Sequence, residues 1–77
     1  MDLDNLIVMA NKIGQFFAAQ PDREEALAGI AEHVRKFWEP RMRTQILAAL
    51  GTADQAHMHE IVVAALTRHR QMLQPAA

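Results

Sequence analysis

Residues 22–40 read DREEALAGIAEHVRKFWEP, and this stretch decides the fold class. Its apolar residues recur every three or four positions, as on one face of an amphipathic helix: Leu27, Ile30, Ala31, Val34, Phe37 and Trp38. Asp22 stands where a helix N-cap is expected, with Glu25 three residues on as the partner of a capping box. Because proline is disfavoured inside a helix and favoured in its first turn, Glu39-Pro40 separates this helix from the next.

On the N-terminal side of this helix, the same spacing predicts another helix. Its apolar stripe consists of Leu3, Leu6, Ile7, Ala10, Ile13 and Phe17. Gln20-Pro21 ends it, because the residue before a proline is pushed out of the helical region. Gly14 lies on or beside the stripe, where it costs about 1 kcal/mol of helix propensity relative to alanine. We therefore expect a neighbouring helix to cross closely at Gly14.

The C-terminal half predicts two further helices. The third has an apolar side of Met42, Ile46, Leu47 and Leu50, with Gly51 as its C-terminal cap. Thr52 and Gln55 repeat the capping-box arrangement and open the last helix. No alternation typical of strands is present. The sequence thus predicts one all-α domain, 1–77, of about four short amphipathic helices over about 3–19, 22–39, 40–50 and 53–73, with a frayed C-terminus at 74–77.

Size and composition favour a protein that works with a partner. A chain of 77 residues without cysteine has neither disulfides nor thiolate metal sites to support a small core. Its net charge of -1 gives no reason to expect nucleic acid or an anionic membrane as the main ligand. The start of the chain is acidic, and no apolar run approaches the roughly 20 residues that span a bilayer. We expect a cytoplasmic protein that contacts neither membrane nor nucleic acid.

The residues that could carry chemistry are scattered. On a helix, residues two apart point in divergent directions, so of His57, His59 and Glu60 only His57 and Glu60 share a face. Solvent-exposed or capping histidines are favoured over metal ligands. The three glycines are far apart and form no phosphate-binding loop. The prediction is therefore that no residue of this chain is catalytic, cofactor-binding or metal-binding.

One run of residues combines the types found in interface hot spots. It comprises Phe37, Trp38, Glu39, Pro40, Arg41, Met42 and Arg43. An equally supported interpretation places Phe37 and Trp38 in the core, with Arg41 and Arg43 solvated nearby. The basic residues of this region could instead contact phosphate, but Glu32 and Glu39 interrupt the patch and disfavour nucleic acid.

Two segments resemble a known family. The sequence IAEHVRKFWEPRMR at 30–43, preceded by MANKIGQFF at 9–17, is similar to the delta subunit of soluble, NAD-dependent, molybdenum-containing formate dehydrogenases. Lys36 to Arg43 matches the most distinctive block of the family. Glu39 stands where many members carry aspartate, a change that keeps the charge. The likeness covers about residues 1–50 and is looser from Ala53 onward.

The resemblance implies a role in a complex. In such enzymes the alpha subunit oxidises formate to carbon dioxide at molybdenum bis-molybdopterin guanine dinucleotide (bis-MGD), and electrons pass through iron-sulfur clusters and FMN to NAD. The resemblance implies that this chain binds none of these groups and is a non-catalytic accessory subunit. We expect its 37–43 run to dock on other subunits, foremost the alpha subunit. The alternatives are a transient maturation factor for molybdenum cofactor insertion and a free-standing helical regulator or homodimer.

Overall fold

A computed structural model describes residues 2–76 of the chain and shows an all-helical domain. The helices are α1 (Leu3–Phe17), α2 (Arg23–Phe37), α3 (Pro40–Ala48), α4 (Glu60–Arg68) and α5 (Arg70–Leu73), with a 3₁₀ turn at Ala53–His57 before α4. The described residues contain no strand, so the predicted fold class is confirmed. None of the described helices is long and apolar enough to cross a membrane.

The helix starts follow from local capping. The Asp2 side chain accepts a hydrogen bond from the Asp4 backbone N–H, and the Asp22 side chain accepts one from Glu25 at 3.2 Å. Pro40 is the first residue of α3, where its missing N–H costs nothing. At the other end of α3, Gly51 has a φ of +81°, a backbone conformation that favours glycine. The sequence predicts Gly51 as the C-terminal cap of this helix, but the cap is Ala49, and Gly51 turns the chain two residues further on.

The last predicted helix requires a correction. The sequence predicts one helix over 53–73, whereas the structure divides this stretch into the 3₁₀ turn, α4 and α5. The first break has a tertiary cause: the Asn11 side chain donates to the His57 carbonyl at 3.0 Å and accepts from the His59 N–H at 2.8 Å. These are backbone groups that a continuous helix would pair internally. The second break is at His69, whose φ of -110° and ψ of 26° are not helical.

The other predicted boundaries shift by a few residues. Helix α3 ends at Ala48, because Ala49 and Leu50 donate to carbonyls three residues back and tighten the chain before Gly51. At the C-terminus, the helical structure ends at Leu73 and residues 74–76 are not helical. Ala77, the last residue of the predicted frayed end, lies outside the described residues.

A core shared by all five helices holds the domain together. Its buried members include Leu6, Ala10, Val34, Trp38, Ile46, Leu47, Val62, Leu66 and Leu73. A smaller cluster of Leu27, Ile30 and Ala65 joins α2 to α4. Helix α2 contacts α1, α4 and α5, and its contacts with α4 and α1 are the most extensive between any two helices of the domain.

The close crossing predicted at Gly14 is confirmed. A Cβ atom at this position would lie 2.7 Å from Cγ2 of Val62 and 3.1 Å from Cγ2 of Ile61. Helices α1 and α4 therefore meet at a distance that only glycine permits. Two exposed ion pairs, Arg23 with Glu60 and Glu24 with Arg68, link the start of α2 to the two ends of α4.

Candidate functional site

The residue run 37–43 forms the corner between α2 and α3. Phe37 is the last residue of α2 and Pro40 the first of α3, so only Trp38 and Glu39 connect the two helices. Both connecting residues have extended backbone, with ψ values of 135° and 155°. Because side chains of successive extended residues point in opposite directions, Trp38 enters the core and Glu39 faces solvent.

Three of the seven predicted interface residues lie wholly or partly inside this chain. Trp38 is 5% exposed and belongs to the main core, and Met42 is half-buried against that core. Arg43 is 7% exposed. The core interpretation is thus correct for Trp38 but wrong for Phe37, which is exposed, and for Arg43, which is buried and not solvated. For Arg43, a signal was available in the sequence, since its spacing of three and four from Ile46 and Leu47 places it on the apolar face of α3.

The remaining four residues lie at the surface and are named here the corner patch: Phe37, Glu39, Pro40 and Arg41. Phe37 is 70% exposed, although phenylalanine is ordinarily buried. Its ring lies 4.8 Å from the ring of His33, one helical turn earlier, with the two planes tilted by 46°. The corner patch therefore presents an aromatic ring, a proline and an arginine together on one short segment.

The buried Arg43 guanidinium is held by α5. Its Nη1 donates to the backbone carbonyl of Leu73 at 3.2 Å. Its Nε is buried and has no hydrogen-bond partner among the described residues. Within residues 2–76, no carboxylate forms an ion pair with it. Arg43 is thus a permanently charged group with no counter-charge in the part of the chain that the structure describes.

A groove of about 580 Å³ lies beside Arg43, between the α2–α3 corner and the C-terminal segment. We call it the arginine groove. Its lining residues are Arg35, Pro40, Arg43, Gln71, Met72, Gln74, Pro75 and Ala76. Sequence reasoning did not identify Gln71, Met72 and Gln74 as site residues, because they reach the corner only when α5 folds back onto α2 and α3.

Positive charge is concentrated around the corner and the groove. Of the eight Lys and Arg residues, Arg23 and Arg68 are in ion pairs on the α2–α4 side of the domain. Arg35, Lys36, Arg41 and Arg43 lie in or next to the corner, and none of them forms an ion pair within residues 2–76. The exposed carboxylates of Glu32 and Glu39 lie among these four cations, so this end of the domain keeps a net positive charge, which favours a negatively charged partner.

The histidines do not assemble into a site. His57 and His59 are both exposed and flank the break before α4. His33 contacts Phe37, while the Nε2 atom of the half-buried His69 has no hydrogen-bond partner among the described residues. In residues 2–76, no three His, Cys, Asp or Glu side chains come close enough to hold a metal ion together.

Comparison with known protein families identifies a matching family. The model of the NADH-dependent formate dehydrogenase delta subunit family, FdsD, matches residues 5–66 of the 77. This range includes the whole α2–α3 corner, while α5 and the C-terminal wall of the arginine groove follow it. Neither the curated proteins nor the solved structures contain a significant match. Since the family model covers most of the chain, the protein belongs to the family of formate dehydrogenase delta subunits.

Proposed function

We propose that this chain is a non-catalytic accessory subunit of an NAD-dependent formate dehydrogenase, and that it docks on and stabilises the catalytic assembly through the corner patch. Membership of the delta subunit family supports the choice of complex. The observation that carries the choice of surface is Phe37, which is 70% exposed next to the buried Trp38. Burying such a ring against a partner is worth about 1.5 to 3 kcal/mol.

The corner is suited to docking because it is rigid. Trp38 anchors it in the core, and the bond from Arg43 to Leu73 ties it to α5. Pro40 fixes its own φ and restricts the residue before it. A surface already held in its binding conformation loses little entropy on association. Arg41, exposed on the same short segment, can pair with a carboxylate in a bidentate geometry.

The proposed partner is the molybdenum-containing alpha subunit, in the cytoplasm. The chain has no cysteine to ligate an iron-sulfur cluster and no glycine-rich loop to hold a nucleotide. In this proposal, bis-MGD, iron-sulfur clusters, FMN and NAD all reside in the other subunits. The delta subunit contributes contacts that keep those subunits together.

Co-purification tests the docking surface. We would co-produce this chain with an affinity-tagged alpha subunit and its companions, and quantify how much chain remains bound. Phe37→Ala should lower the affinity for the tagged assembly by roughly ten- to a hundredfold, which is the effect of losing the burial of one aromatic ring. Phe16→Ala is the matched control, because Phe16 is 73% exposed but lies on α1. Equal retention of both variants would refute the corner patch as the docking surface.

The stoichiometry of the purified enzyme separates a resident subunit from a maturation factor. A near-equimolar amount of this chain in fully active, metal-loaded enzyme is expected for a resident subunit. Its absence from such enzyme, together with its presence in cofactor-free alpha subunit, would instead assign it to maturation.

A further inference from the structure

We propose that the arginine groove binds an aspartate or glutamate side chain from an extended segment of a partner subunit. This inference rests on the proposed function and adds a second point of attachment with its own chemistry. The groove shares Pro40 with the corner patch, so the two surfaces adjoin and one partner could cover both. The partner segment is recognised by a negative charge next to an apolar side chain.

The first argument is the uncompensated charge of Arg43. Removing a guanidinium from water is energetically unfavourable, and a buried arginine is ordinarily paired with a carboxylate. Arg43 is nine-tenths buried, yet its only acceptor within residues 2–76 is the Leu73 carbonyl. Its buried position on the groove wall means that an incoming carboxylate would meet a charge that water screens poorly.

The second argument is the arrangement of donors in the groove. Arg35 also lines the groove and is exposed, with no ion pair in the part of the chain described. Gln71 and Gln74 add side-chain amides, whose NH₂ groups are donors. Arg43 is preorganised by its bond to Leu73, so a ligand does not have to order it. Two guanidinium groups with flanking amides match the acceptor-only chemistry of a carboxylate.

The third argument identifies the source of the carboxylate as a polypeptide. The groove is open to solvent, and Met72, Pro40 and Pro75 give it apolar walls beside the cations. Met72 is 38% exposed, and methionine adapts its shape to different apolar neighbours. An extended segment that alternates an acidic and an apolar residue satisfies both halves of this surface. A small free anion would leave the apolar walls uncovered.

Zero-length crosslinking in the assembled enzyme tests this inference. Gln71→Lys keeps a hydrogen-bond donor in the groove lining and turns it into an amine that can be crosslinked. A water-soluble carbodiimide then joins this amine to any carboxylate in direct contact. We expect a covalent link from position 71 to an aspartate or glutamate of another formate dehydrogenase subunit, identified by mass spectrometry. Gln15→Lys, on the exposed surface of α1, is the control and should give no such link.

Several results would overturn the inference while leaving the proposed function in place. These are an intact complex without a link from position 71, a link only to a carboxylate of the same chain, and a link to a second copy of the chain. Loss of assembly in Gln71→Lys would also count against it, because an added cation should not repel a carboxylate. If the unmodified chain does not assemble with the dehydrogenase at all, the proposed function itself fails.

Charge removal provides an independent readout. Arg35→Gln should lower the affinity for the tagged dehydrogenase roughly tenfold at low salt, and the difference from the unmodified chain should shrink as salt rises. Arg23→Gln removes the same charge from an exposed arginine at the other end of α2, where it is paired with Glu60, and should change the affinity little. Equal effects of the two variants would indicate a general charge effect and exclude a specific groove.

Discussion

Phe37 and Trp38 are neighbours in the chain, and the backbone turns between them so that one ring meets solvent and the other the core. Trp38→Ala should remove about 3 to 5 kcal/mol from the free energy of unfolding, because it empties a large space at the α2–α3 corner. Phe37→Ala should change that free energy by less than about 0.5 kcal/mol. Urea unfolding followed by circular dichroism measures both effects.

Trp38→Phe is the control for ring volume, since it keeps an aromatic side chain in the core and should lose less stability than Trp38→Ala. A Phe37→Ala variant as unstable as Trp38→Ala would show that Phe37 supports the fold. The proposed docking role of Phe37 would then lose its main argument, because weaker retention could be attributed to unfolding.

Gly14 and Gly29 provide a second comparison between single residues. Gly14→Ala gains about 1 kcal/mol of helix propensity, but its methyl group would press on Val62, which is fully buried and cannot move aside. Overpacking of this kind should outweigh the gain and lower the free energy of unfolding by about 1 to 2 kcal/mol. Thermal melts and urea titrations measure the change.

Gly29→Ala is the matched substitution, because its methyl group would meet the ring of Phe17 at 2.5 Å. Phe17 packs against the smaller core cluster but is only half-buried at the end of α1, so its ring has space on the solvent side into which it can turn. We expect Gly29→Ala to be as stable as the unmodified chain or up to about 1 kcal/mol more stable. If Gly29→Ala were less stable than Gly14→Ala, the assignment of Gly14 as the close contact between α1 and α4 would be contradicted.

At the level of elements, one side chain determines where α4 begins. Asn11 reaches across 46 and 48 residues of sequence to bind the backbone of His57 and His59. Asn11→Ala should lose both hydrogen bonds and lower the free energy of unfolding by about 1 to 3 kcal/mol. Amide hydrogen exchange should accelerate at His59, whose N–H then has no acceptor.

Asn11→Asp separates the two bonds. It keeps an acceptor for the His59 N–H and places a negative charge at the start of α4, where the helix dipole favours it. It loses the donor to the His57 carbonyl. We expect slow exchange at His59 to be retained and a smaller loss of stability than in Asn11→Ala. Fast exchange at His59 in both variants would mean that the amide oxygen does not set this boundary.

The same elements show what the sequence can predict. Local signals were sufficient for α1, α2 and the start of α3, because Asp22, Pro21 and Pro40 act on their immediate neighbours. They were insufficient between Thr52 and Leu73, where the helix is interrupted at His59 without a proline or glycine. The interruption depends on Asn11, which is distant in sequence. The arginine groove escaped prediction for the same reason, since its two walls are joined only by the tertiary fold.

Across the whole molecule, the stability of the isolated chain favours charges that are paired within it, whereas assembly favours unpaired charges that a partner can pair. The α2–α4 side pairs its exposed charges within the chain, as Arg23 with Glu60 and Glu24 with Arg68. The corner and groove side leaves Arg35, Arg41 and Arg43 without such pairs among residues 2–76. A small domain is only marginally stable, and a buried charge without a counter-charge lowers the free energy of unfolding of the isolated chain. An acidic partner would supply the missing counter-charge in the complex.

Arg43→Met tests whether the unpaired charge of Arg43 serves assembly and not the stability of the isolated chain. Methionine has a similar length and fits an irregular apolar site, so the variant removes the buried charge while filling much of the same space. It loses the bond to the Leu73 carbonyl, but replacement of buried charges by apolar residues is often neutral or stabilising. We expect the isolated variant to unfold at the same urea concentration as the unmodified chain or a higher one.

The retention of Arg43→Met on the tagged dehydrogenase should fall roughly tenfold or more, because the partner carboxylate is left without its arginine. A variant that is destabilised by more than about 1 kcal/mol yet fully retained would reverse the assignment, making Arg43 a support for α5 with no part in recognition.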